Sequence, residues 1–136
     1  ELRISLETES VYLAAERREK KHIDKMRAAL NAFEAHIASD KGVDTVEADF
    51  NFHIAIAEAS NNQYFVDFLK YLGEKVIPRA RLKSLEAHPE KREEYLRNVH
   101  QEHLNIFNAI VDQDGLLARQ IMRAHLGRSM KKFSAK

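Results

Sequence analysis

The chain has 136 residues, 44% of them hydrophobic, which suits one domain with a real core and argues against global disorder. Its 22 basic and 21 acidic residues leave no basic excess of the kind a nucleic-acid surface needs, and the absence of cysteine excludes disulfides and thiolate metal sites. No apolar run approaches the ~20 residues of a membrane span and no signal peptide is visible, so a cytoplasmic protein without a membrane partner is expected.

With only four Gly and two Pro, the chain reads as helices punctuated by short breaks. The first is predicted over 2–17, with Leu2, Leu6 and Leu13 on one face. It starts at Glu1 without Met or an N-cap, which points to a piece of a longer protein, here one domain spanning 1–136. The second covers 19–38, with Ile23, Met26, Leu30, Phe33 and Ile37 at helical spacing, and Ser39, Asp40 and Gly42 stop it. Asp44 with Glu47 resembles a capping box ahead of a third helix over 45–60, which Asn61-Asn62 breaks. A fourth over 63–85 carries Phe65, Leu69, Leu72 and Val76. His88-Pro89 marks a loop before a fifth over 90–111, whose inward stripe is Leu96, Val99, Ile106, Phe107 and Ile110. Asp114 caps a sixth over 115–133, with Leu117, Ile121 and Met122 inward. The pattern is a single all-α bundle of about six helices.

The seven histidines differ in setting. His22, His36 and His88 sit among charged residues or in a loop and read as solvated, and His100 borders an inward stripe. His103 falls on the apolar stripe of the fifth helix and His125 on that of the sixth. Asp49 and His53, four apart, share the side of the third helix that carries Val46, Phe50 and Ala57. A lone inward histidine is usually a hydrogen-bonded core residue. Three with an aspartate are harder to place that way, because every ring nitrogen needs a partner and one divalent cation serves them all. Zinc is the first expectation for such a donor set; nickel, manganese, iron and cobalt also suit it. A carboxylate ligand could then meet the metal while an arginine holds its other end. Arg79, extending the apolar stripe of the fourth helix, is the leading candidate, and Arg3, bordering the inner face of the first, is another. No His-Glu-x-x-His, paired Glu-x-x-His or phosphate-cradling Gly loop occurs.

ELRISLETESVYLAAERRE, DFNFHIAIAEASNN and EHLNIFNAIVDQDGLLARQIMRAHL together resemble the FCD domain, the C-terminal effector-binding domain of FadR-subfamily GntR-type transcriptional regulators. Asn61 stands where glycine is common, a mild change because Asn also tolerates the left-handed conformation. The resemblance implies an antiparallel bundle with a buried metal and ligand cavity, the metal held by Asp49, His53, His103 and His125. It also implies a small organic acid as effector, a homodimer, and operator DNA bound through an N-terminal winged helix-turn-helix that this chain lacks. The expected function is thus non-catalytic sensing. The competing readings are a metal-dependent hydrolase or lyase, which would need a general acid or base near the metal, and a dimerisation module without metal.

Overall fold

The computed structural model describes residues 1–38, 42–76 and 88–134. Among them it forms six α-helices and no strand: α1 Leu2–Arg17, α2 Lys20–His36, α3 Gly42–Ala59, α4 Gln63–Val76, α5 Pro89–Val111 and α6 Gly115–Ser134. They make the expected antiparallel bundle. The centre is α3, which packs on α1, α2 and α4, while α1 also lies along α6 and α5 joins α2 to α6. A helix enclosed on several sides must be apolar nearly all round. Accordingly Ala48, Phe52, Ala55, Ile56, Ala57 and Ala59 of α3 are all buried.

The helix ends have local causes. Glu19 and His22 form a capping box at the start of α2, with the Glu19 N–H donating to His22 Nδ1 at 3.0 Å. Asn62 Oδ1 accepts from the Tyr64 N–H at the start of α4 (3.0 Å), and Asp114 Oδ1 accepts from the Leu117 N–H at the start of α6 (3.1 Å). Asn61 and Gln113, both at φ 58°, occupy the left-handed region that reverses the chain. Three arginines meet carbonyls at C-terminal helix ends. Arg17 Nη1 donates to Ser60 O just past α3 (2.8 Å), Arg18 Nη2 to Val111 O of α5 (2.6 Å), and Arg92 Nη1 to Ile37 O past α2 (2.8 Å).

Several expectations need correction. The leucine face of α1 is not its buried face: Leu2 is 61% exposed, and Leu6 and Leu13 are half-buried. Glu7, Thr8, Ser10, Val11, Ala14 and Ala15 point inward instead, because small side chains let α3 and α6 approach closely. Leu117 lies 42% exposed, and Ala118 and Met122 take the inward positions of α6. Gly42 opens α3 rather than ending α2, which puts Asp44 inside the first turn and not at the cap. His22 is buried, on the same stripe as Met26, Ala29 and Phe33, and its charged neighbours misled. The predicted fourth helix is found as far as Val76, and its remainder, Arg79 included, lies outside the described residues.

Candidate metal centre

α3 supplies Asp49 and His53 one turn apart, α5 supplies His103 and α6 supplies His125. One ligand-type atom from each lies within 4.8 Å of the others. His53, His103 and His125 are buried, and Asp49 is the open side of the group at 35% exposure. The three imidazoles pack against one another with ring centroids 5.0–5.7 Å apart, and Phe33 and Phe52 close over His103.

The hydrogen bonding of these groups is peculiar. Asp49 Oδ1 lies 2.9 Å from His103 Nε2 and 3.3 Å from His53 Nε2. Yet Asp49 Oδ1 and both Nε2 atoms are buried without a hydrogen bond, because neither approach has the required direction. Each unpaired buried polar atom costs roughly 1–3 kcal/mol. The other side of two rings is firmly held. His53 Nδ1 meets Glu7 Oε1 at 2.5 Å, and His125 Nδ1 meets Glu102 Oε1 at 2.5 Å. Arg3 Nε donates to the second oxygen of Glu7, and Arg128 Nε to that of Glu102 at 2.7 Å. His103 Nδ1 has no partner.

Charge shifts follow from the packing. Burial alone would lower the His53 pKa, but Glu7 and Asp49 on either side push it up to about 9. Burial would raise Glu7, but His53 and Arg3 hold it down at about 2. Asp49 is likewise held well below its ordinary value against burial, by His103 and His53. Burial pushes His103 down to about 4, the attraction of Asp49 offsetting only part of it. Burial also tends to raise Glu102, which His125 and Arg128 nevertheless hold below the usual range.

The orphaned lone pairs test whether a metal fits. Three imidazoles and a carboxylate are the donors a zinc-like cation takes, once His53 gives up the proton at Nε2. They fit. Of the two candidate arginines, Arg3 pairs with Glu7 and Arg79 lies outside the described residues. His100 stacks on Phe33 with ring centroids 5.8 Å apart and is not one of the four. Sequence reasoning missed Glu7 and Glu102. The signal for Glu7 was its spacing from Val11 and Ala14, which puts it on the inward face of α1. Glu102 carries no comparable signal, since it neighbours His103 in sequence and serves His125 across the α5–α6 pair.

An all-α bundle with an inward His/Asp group defines a class whose family model can be matched directly. The FCD domain model matches residues 1–128, and the chain belongs to that family, the effector-binding domains of GntR-type regulators. It is 29% identical over 126 residues to the HTH-type transcriptional regulator LutR of Bacillus subtilis (strain 168). That match covers 93% of this chain and 56% of the regulator, so the chain spans little more than half of its relative. Its fold is also that of E. coli McbR/YncC, with a TM-score of 0.82 at 16% identity, covering 98% of this chain and 65% of that one. Among the described residues no helix is long and apolar enough to cross a membrane.

Proposed function

We propose that this domain senses a small organic acid through one divalent transition metal held by Asp49, His53, His103 and His125, and that it does so without catalysis. The carrying observation is the convergence of Asp49, His53, His103 and His125, with buried ligand-type atoms of the first three that have no hydrogen-bond partner. A bound metal supplies a Lewis-acid centre for a carboxylate oxygen. The protein's part is to orient the donors and to exclude water with Phe33 and Phe52. Arg79 remains the proposed clamp for the far end of the acid. Zinc is the proposed metal, with nickel, manganese, iron or cobalt able to take its place according to supply.

The hydrolase alternative loses support from the two carboxylates nearest the imidazoles. Glu7 and Glu102 are each tied to a histidine and an arginine, which leaves neither as a free general base. The similarity to LutR supports placing residues 1–136 as the sensing part of a cytoplasmic transcriptional regulator. Operator DNA would then be bound by a separate N-terminal domain. A homodimer is part of the same reading, and Leu2, Tyr64 and Tyr71 supply exposed apolar surface for a second copy. The effector acts by binding one arrangement of the dimer better than another.

Elemental analysis of untagged protein purified without chelator tests the centre, with about one transition metal per chain expected. Calorimetric titration of metal-loaded and metal-stripped protein with lactate, pyruvate, a sugar acid and a dicarboxylate tests the ligand class. Binding that needs the metal supports the reading. No metal uptake even after dialysis against Zn²⁺ or Ni²⁺ overturns it, and turnover of an ester or amide panel would favour the hydrolase.

A further inference from the structure

We propose that Glu7 and Glu102 are positioning residues of this centre: each fixes one histidine so that its Nε2 carries the lone pair and faces the other donors. The inference rests on the metal reading above. Two separate elements arrive at the same arrangement. From α1, Glu7 accepts from His53 Nδ1 with one oxygen and from Arg3 with the other. From α5, Glu102 accepts from His125 Nδ1 with one oxygen and from Arg128 Nε with the other.

The chemistry of imidazole makes this consequential. A neutral ring has one N–H and one lone pair, and a carboxylate at Nδ1 keeps the hydrogen there. The lone pair is then at Nε2, on the side where His53 meets Asp49. The carboxylate also makes the ring a stronger donor and stops it from turning. The arginine behind each carboxylate holds the carboxylate in turn. His103 provides the internal contrast. Its Nδ1 has no partner, and Phe33 and Phe52 pack against its ring.

The two carboxylates are not equal. Glu7 is 3% exposed and Glu102 is 22% exposed, so water competes for the Glu102 bond and hardly for the Glu7 bond. Glu7 therefore contributes more.

The test is Co²⁺ and Zn²⁺ titration of Glu7→Gln and Glu102→Gln, read by calorimetry, with each affinity referred to the deprotonated His53 through its pH dependence, and by the visible absorption of the Co²⁺ form. Glutamine keeps size and an acceptor but loses the charge. The expected result is about 10–100-fold weaker binding, larger for Glu7→Gln, with shifted Co²⁺ bands in both. Glu58→Gln, drawn from the exposed pair with Lys25, should bind like the wild type. A purely structural role would lower the melting temperature of the metal-free protein while leaving affinity and Co²⁺ spectrum unchanged, and that result overturns the inference. If Glu7→Gln fails to fold, Glu102→Gln decides by the same readouts. Wild-type protein that takes up neither metal overturns the metal reading itself. Wild-type binding with unaltered variants overturns only the positioning role.

Discussion

Two polar regions of this bundle are treated in opposite ways. At the C-terminal helix ends, carbonyls that lack a helical donor are met by Arg17, Arg18 and Arg92. At the centre, where side chains of α3, α5 and α6 meet, four of the eight buried side-chain atoms without a hydrogen bond among the described residues gather on Asp49, His53 and His103. The chain can recruit partners across more than ninety residues of sequence when a carbonyl needs one, as Arg18 shows. Unpaired atoms clustered at one spot are therefore informative. Those at the centre are set apart as ligand-type atoms that converge from different helices, whereas the two on Arg92 at a helix end belong to a single guanidinium.

The sharpest way to break the contrast is to remove a central donor. His103→Ala or His125→Ala should abolish stoichiometric metal and with it the stabilisation that metal gives. At a thousandfold excess over Kd that stabilisation is about 4 kcal/mol, or a melting shift of about 10–20 °C in a domain of this size. Melting curves with and without Zn²⁺, beside metal analysis, check it. Retained metal in either variant would remove that residue from the ligand set.

Protons probe the same region next. Folded His53 lies at about 9 against an ordinary 6.5, so its protonated form stabilises the metal-free fold fully below pH 6.5, and that contribution is lost as pH rises through 9. Folded His103 lies at about 4 against 6.5, so the metal-free fold loses stability as pH falls from 6.5 toward 4. Metal-free stability should therefore peak near pH 6.5, as denaturant titrations across pH would show. Metal must displace the His53 proton, so apparent affinity should climb about tenfold per pH unit between 6.5 and 9. A flat profile would mean that His53 is neutral without metal.

The helix ends should behave differently. Arg18→Ala strips the α5 terminus of its donor and should cost about 1–3 kcal/mol in chemical denaturation, with metal affinity unchanged. The smallest change is Asp114→Ala, which removes the α6 cap for about 1 kcal/mol and a few degrees of melting temperature. Altered metal binding in either variant would mean that the two regions are coupled rather than separate.

Much of this was legible from periodicity alone. His103 and His125 sit on apolar stripes, and Asp49 with His53 on the inward side of α3, so all four could be named before any coordinates. The bounds of α1, α5 and α6 came within a residue or two, because Asp114 and the Pro89 start are strong punctuation. The inward face of α1 was not legible. Leucines outweigh alanines in any hydrophobic pattern, yet helix packing here favours the small Ala14 and Ala15, and Glu7 comes inward with them. A charged residue looks like surface until its partners are known, and Arg3 and His53 are distant or ambiguous in sequence. His22 misled for the same reason, its lysine neighbours concealing a buried capping role.

The turn between α5 and α6 sets a distance as well as a direction. Gln113 reverses the chain in the left-handed region and Asp114 restarts the helix at once, so the hairpin has no slack. His103 lies ten residues before Gln113 and His125 twelve after it, which brings the two rings to the same height with centroids 5.0 Å apart. The hairpin is thus a ruler read in residues. One residue inserted in α6 before His125 would swing that ring about 100° around its helix axis. The same insertion beyond Arg128 would leave the register untouched. Length changes in this chain should accordingly be tolerated after Arg128 and excluded between the turn and that residue.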